Sequence, residues 1–285
     1  MKHAGLAVAA LSVGVALSLA TGGQRRPGRD DASAMNSDRP SNGSLVPAPA
    51  MSAARAAHTA TALPDGRILI AGGFGEKGAA TGAEVYQPDA GRFSPTGSMT
   101  VARESHMGVR LLDGRTLILG GHRGRRADIT LHSSAEIYNP TTGAFTRLGD
   151  MGIRRHKHDA VLLRDGQVLT TGGSDERDDR GVYDSSELFD PRTGAFTAGP
   201  TMRLGRYKHA GTSLLLPSGL VLVAGGAPRA ETYDPLSRTF TLVAGDARMA
   251  GQFSAVAPLK RGGALITGGY GNGGGPRASA WLYQR

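Results

Sequence analysis

Apolar residues in this chain gather in short runs, and a pair of glycines closes each run. Ile68 to Ala71 leads into Gly72-Gly73, Leu117 to Leu119 into Gly120-Gly121, and Val221 to Ala224 into Gly225-Gly226. The pair recurs at Gly172-Gly173 and Gly268-Gly269. Runs this short, bounded by turn residues, predict strands rather than helices. In the second copy the pattern predicts four, at roughly His106–Leu112, Arg115–Leu119, Ala135–Tyr138 and Ala144–Arg147. Asp65-Gly66, Asp113-Gly114, Asp165-Gly166 and Ser218-Gly219 separate the first two strands of the first four copies, and the Asp-Gly pairs read as two-residue hairpin turns of type I′. A Pro-x-x-Gly turn precedes the last strand, as in Pro140-Thr141-Thr142-Gly143. Arg238 takes the place of that glycine in the fourth copy, where a left-handed conformation costs about 1–2 kcal/mol.

These pieces recur in register. Met51, Met99, Met151, Met202 and Met249 stand 47 to 52 residues apart. The first four copies then read Arg-x-x-His, at Arg55 and His58, Arg103 and His106, Arg155 and His158, Arg206 and His209. Two places after each His comes a small residue (Ala60, Gly108, Ala160, Gly211), suited to strands that crowd toward an axis. After Gly-Gly an acidic residue precedes an aromatic by two: Glu84 and Tyr86, Glu136 and Tyr138, Glu187 and Phe189, Glu231 and Tyr233. A repeat of about this length is one supersecondary unit that buries its apolar face only against its neighbours.

The Gly-Gly after an apolar strand, the downstream aromatic and the period resemble the kelch family, in its bacterial flavour of Arg-x-x-His-x-Ala, Asp-Gly-Arg, Gly-Gly and Ala-Glu-x-Tyr-Asp-Pro-x-Thr-Gly. The resemblance covers residues 43–285 and implies an all-β fold, a β-propeller of four-stranded blades around a central channel. Five copies imply five blades, against the six or seven usual in kelch proteins. The fifth copy ends at Trp281-Leu282-Tyr283-Gln284-Arg285 without a last strand, and it is degenerate, with Gly251, Ser254 and Trp281 replacing the Arg, His and Glu. At the other end, Asn42-Gly43-Ser44-Leu45 stands before Met51 as Thr142-Gly143-Ala144-Phe145 stands before Met151. Residues 43–50 are therefore expected to supply the outer strand of the last blade, which removes two unpaired edges. A ring left open to pair with another chain is the alternative; closure within one chain makes a monomer.

Lys2 and His3 precede an uncharged run from Ala4 to Ala20 that ends in Ser18-Leu19-Ala20. That is the form of a signal peptide spanning residues 1–20, and it implies a secreted or periplasmic protein with no membrane span after cleavage. An uncleaved anchor is the other reading of a run this long. Residues 21–42 are polar and charged, and read as a disordered linker.

With no cysteine among 285 residues, disulfides, thiolate metal sites and thiol nucleophiles are excluded. The resemblance brings in a copper radical oxidase of galactose, whose crosslinked Tyr–Cys cofactor this chain cannot make. It also brings in a sialic-acid mutarotase. No cofactor and no metal are expected: one His repeated in every blade serves the blade's own hydrogen bonds before it serves a metal. Nine of the 15 aromatic residues fall at two repeat positions and read as blade packing. With the charge spread through the repeats, the net charge of +9 does not make a nucleic-acid surface.

The candidate site is a channel mouth. In kelch domains arginines at the position of Arg55, Arg103, Arg155 and Arg206 often line it; the other reading gives them to the repeat Glu as salt bridges. Departures from the repeat add His156, Lys157, Tyr207 and Lys208, and, directly after Gly-Gly, His122 and Tyr270. The long loops after Gly121 and Gly173 carry charge runs: His122, Arg123, Arg125 and Arg126, then Asp175 through Arg180. The leading expectation is a binding module for a protein or an acidic carbohydrate. The alternative is a mutarotase- or epimerase-like isomerase, with Glu104, His122 and His156 beside the arginines as its acid–base groups.

Overall fold

The computed structural model describes residues 47–245, 252–258, 263–270 and 280–284. The leader, the linker, residues 43–46 of the expected closing strand, Met249 and Gly251 lie outside them.

The unit that begins at Pro47 is a five-bladed β-propeller of small antiparallel sheets. Blade 1 runs outward through Thr59–Ala62, Ile68–Ala71, Ala83–Gln87 and Arg92–Pro95. Blade 2 comprises Met107–Arg110, Thr116–Leu119, Ser134–Asn139 and Ala144–Asp150, and blade 3 comprises Asp159–Leu162, Val168–Thr171, Ser186–Asp190 and Ala195–Ala198. Blade 4 has Ser213–Leu215, Val221–Val223, Glu231–Asp234 and Thr239–Leu242. Among the described residues blade 5 has Ala255–Pro258, Ala264–Thr267 and Ala280–Tyr283. Residues 47–50, the described part of the expected closing strand, are exposed and lie outside the assigned strands.

The core lies between consecutive blades. Alternate side chains of one strand face opposite neighbours: Ile118 packs with Leu69 and Val85 of blade 1, whereas Leu117 and Leu119 pack with Val168 and Phe189 of blade 3. Met99, Met151 and Met202 fill the gaps between successive blades, which explains the methionine period. The repeat aromatics pair across the two outer strands of each blade, as in Tyr138 with Phe145 at 4.8 Å and Phe189 with Phe196 at 4.8 Å.

Gly120 and Gly121 show why the pair must be glycine. Both have positive φ, +65° and +86°. A Cβ on Gly120 would lie 2.6 Å from Cε1 of His158 in the next blade, and one on Gly121 would lie 2.6 Å from the Glu104 carbonyl. The repeat histidines are thereby locked against the preceding blade. His106 and His209 each bring Nε2 to 3.2 Å from a threonine hydroxyl, Thr59 and Thr171.

Two expectations need correcting. The Asp-Gly turns are three-residue loops. Leu63 N–H donates to Arg67 O, Gly66 N–H donates to Leu63 O, and of Asp65 and Gly66 only Gly66 has positive φ. Type I′ geometry needs both. The aspartate earns its position differently, by accepting the amide two residues on, as Asp65 does from Arg67 and Asp113 from Arg115. The small-residue rule holds at Gly108, where a Cβ would sit 2.9 Å from Thr61 Oγ1, but not at Gly211, which has open space and φ of +75°. There the chain turns before the fourth inner strand. The buried carboxylate of Asp159 holds that turn, accepting the amides of Gly211, Thr212 and Ser213. Burial pushes the Asp159 carboxyl up, while those amides favour its ionised form. Arg238 is left-handed as expected, at φ +54°.

Candidate functional site at the channel mouth

The four repeat arginines do not line the opening. Arg103, Arg155 and Arg206 have no exposed surface, and Arg55 is nearly as buried. Each guanidinium is held within its own blade. Arg103 donates to the Gly120 and Ser134 carbonyls and pairs with Glu136 at 3.0 Å. The other pairs are Arg55 with Glu84 at 2.8 Å, Arg155 with Glu187 at 2.8 Å and Arg206 with Glu231 at 2.9 Å. The same carboxylates accept amides of the segment after each methionine, such as Thr100 and Val101 on Glu136. The planar fork of arginine suits this pinning of the segment leading into the inner strand to the third strand.

The mouth is built by the residue just before each His, or before Ser254 in blade 5. Ala57, Ser105, Lys157, Lys208 and Phe253 all have φ between +52° and +57°. Such backbone is strained for side chains other than glycine, and persists only where its surroundings enforce it. Here the enforcing element is a hydrogen-bonded belt around the axis. Ser105 N–H donates to Ala57 O, Lys157 to Ser105, Lys208 to Lys157 and Phe253 to Lys208, each bond passing to the next blade. All five residues line a cavity of about 310 Å³, together with His58, His106, His158, Met107 and Ala210.

A second ring surrounds the belt, built from the residue after each Arg and the residue after each Gly-Gly. Glu104 bridges to His122, His156 to Ser174 and Gln252 to Tyr270 through isolated β-bridges. On blades 2 and 3 this ring carries a linked set of titratable groups. Arg125 Nη2 lies 2.8 Å from Glu104 Oε2 and stacks over the Phe74 ring at 4.3 Å. Glu104 Oε1 stands 4.0 Å from His122 Nδ1, and the His122 and His156 rings meet edge-on at 4.8 Å. His156 Nε2 is 3.2 Å from Asp178 Oδ1, which also accepts Lys157 Nζ at 2.6 Å. Burial raises the Glu104 carboxyl against the opposing charges of Arg125 and Lys157. Burial, then the charge of Lys157, lowers both His122 and His156 to about 4. At neutral pH the set therefore offers two uncharged imidazoles.

Blades 4 and 5 make the other side. Gln252 donates to the Tyr207 hydroxyl at 2.9 Å, and Phe253 meets Tyr270 edge-on at 5.9 Å. Lys208 Nζ lies 4.9 Å from the centre of the Tyr207 ring and 5.7 Å from that of Phe253. Among the described residues Lys208 forms no ion pair, unlike Lys157.

The structure thus gathers His122, His156, Lys157, Tyr207, Lys208 and Tyr270 around one opening and withdraws Arg55, Arg103, Arg155 and Arg206 from it. Asp178 and Arg125 stood in the sequence only as members of charge runs. Gln252 and Phe253 were not singled out at all, although aligning the copies on the positions one and two after the Arg would have found them. Among the described residues no group of three or more His, Asp or Glu stands in metal-binding geometry. No described helix is long and apolar enough to cross a membrane.

The kelch motif model matches residues 105–152, the second repeat. A solved structure reported as "Structure of YjhT" shares the fold, with a TM-score of 0.64 at 12% identity over 80% of this chain and 81% of that one. Nothing among the curated proteins matches the sequence.

Proposed function

We propose that this kelch-repeat β-propeller is an exported binding module that takes a small acidic carbohydrate at the mouth of its channel. The observation that carries the reading is Lys208, which among the described residues forms no ion pair, beside a cavity to which all five blades contribute. About 310 Å³ falls at the lower end of the range of small-molecule sites. Lys208 supplies a donor for a carboxylate, and the exposed Phe253 ring supplies an apolar face for a sugar. The leader at Ala4–Ala20 supports export.

Isothermal titration with D-glucuronate and D-glucose tests it. Glucuronate binds, glucose binds far more weakly, and Lys208→Ala weakens glucuronate by about 10- to 100-fold, the effect of losing one charge-assisted hydrogen bond. Equal affinity for the two sugars would sink the reading.

One observation favours an isomerase as the second reading. Glu104 has a nearly buried carboxyl whose Oε1 has no hydrogen-bond partner, and it faces a neutral His122. That pair suits proton transfer at a sugar's anomeric oxygen. Exchange NMR on glucuronate separates the two readings: accelerated anomer interconversion, lost in Glu104→Gln, identifies an enzyme.

A further inference from the structure

The channel mouth already holds one carboxylate, and it belongs to the chain. The loop between Ser174 and Val182 closes on itself through a bridge between those two residues, with Asp175 N–H donating to Gly181 O. Inside it, the short turn Asp178–Arg180 projects Asp178 toward the mouth, with φ of +57°. Asp178 Oδ1 meets Lys157 Nζ at 2.6 Å and His156 Nε2 at 3.2 Å. Burial works to raise this carboxyl and is outweighed by the hydrogen bond and charge of Lys157, then by His156 and Lys208, so it lies below the usual carboxylate range.

Three features mark this contact as replaceable. Asp178 stays 43% exposed, whereas His156 beneath it is 1% exposed. It accepts the Lys157 hydrogen bond through one oxygen, lies near the uncharged His156 without bonding it, and makes no ion pair with Lys208. Lys157 and Lys208 occupy consecutive positions of the mouth belt, joined by the Lys208 N–H to Lys157 O bond of 2.8 Å. Two ammonium groups on neighbouring positions repel unless an anion lies between them. A free carboxylate brings two oxygens and can engage both lysines; Asp178, tethered at the rim, engages one.

We infer that Lys157 and Lys208 form a carboxylate subsite, that Asp178 stands in for the ligand's carboxylate, and that the ligand binds by displacing Asp178 from Lys157. This rests on the binding reading above and adds the anion's address and its built-in competitor. The ligand class is a monocarboxylate on a small ring, since the subsite opens on the cavity and the Phe253 face.

The test is titration of the full chain with D-glucuronate in wild type, Asp178→Asn and Asp179→Asn. Asparagine tolerates positive φ, so Asp178→Asn removes the charge while leaving the loop geometry available. Asp179 is the neighbouring exposed acid and controls for net charge. Asp178→Asn is expected to bind glucuronate about tenfold more tightly, Asp179→Asn less than about twofold more tightly, and glucose to respond to neither. Thermal melting of both variants verifies folding, and Asp178→Ala serves if the first variant melts early. Binding by Asp178→Asn alone would support displacement most strongly. If wild type binds and Asp178→Asn gains nothing, displacement is overturned while the binding reading stands. An equal gain in Asp179→Asn would also overturn it, as a general charge effect. No binding by any of the three would overturn both. N-acetyl-aspartate amide, carrying the same carboxylate on a peptide unit, separates a sugar ligand from an acidic side chain: comparable affinity would overturn the assignment to a sugar.

Discussion

Lowering the pH from 7 to 4 is expected to unfold the propeller, with most of the loss below pH 6. His106 and His209 are buried between blades, and burial, followed by the charges of Arg103 and Arg206 respectively, lowers each to about 3. His158 is displaced in the same direction for the same reasons. An unfolded chain protonates these imidazoles near 6.5, whereas the folded chain keeps them neutral. Between 6.5 and about 3 the unfolded state therefore binds more protons, and stability falls as pH falls. Their contribution is fully present above pH 6.5. Each imidazole contributes a slope of up to about 1.4 kcal/mol per pH unit. Two of them remove about 3 kcal/mol per unit, so a fold at the lower end of the usual range of about 5–15 kcal/mol reaches its midpoint near pH 4 to 5. Thermal melts at pH 7, 6, 5 and 4 check this. A melting temperature unchanged down to pH 4.5 would contradict it, and replacing His106 and His209 with glutamine should flatten the slope.

The second large effect lies in the blade pins. Glu136→Ala should destabilise the protein by about 3–5 kcal/mol, because it leaves the Arg103 guanidinium buried without its counter-charge and strips the Thr100 and Val101 amides of their acceptor. For a unit of this size that lowers the melting temperature by roughly 6–20 °C. Replacing both partners, Arg103→Met with Glu136→Leu, should recover part of the loss, since an apolar pair carries no desolvation penalty. A drop below about 3 °C in the single variant would mean that the pins are dispensable. The same two residues explain why these arginines are absent from the mouth. A guanidinium buried inside a blade, with both terminal nitrogens held by carbonyls, a hydroxyl and a carboxylate, presents no donor at the opening.

Most of the fold was legible in the sequence. The glycine pairs, the Asp-Gly loops and the short apolar runs are local signals, and the inner strands they predicted lie at those places in blades 1 to 3. The turn type was misjudged because Asp-Gly serves both two-residue and three-residue loops, and only the pairing of Leu63 with Arg67 decides between them. The offset of the fourth inner strand was invisible because it depends on Asp159, more than fifty residues upstream.

The site was half legible. Comparing the copies exposed Lys157, Tyr207, Lys208, His122 and Tyr270 as departures from the repeat, since a repeat supplies its own reference. It could not show that Asp178, rather than Asp175, Glu176 or Asp179, reaches the mouth. That choice follows from the turn of one loop and the place of Lys157 in the same blade. Nor could spacing choose between the two destinations of the repeat arginines, because Arg and Glu stand in every copy whichever face they serve.

The amino-acid sequence by itself determined the unit, the number of copies and which positions break the pattern, because alternation and turn chemistry act over a few residues. The tertiary structure alone decided which of those positions meet. The mouth joins side chains about fifty residues apart in sequence, one blade each, and their distances come from the ring that brings the inner strands together.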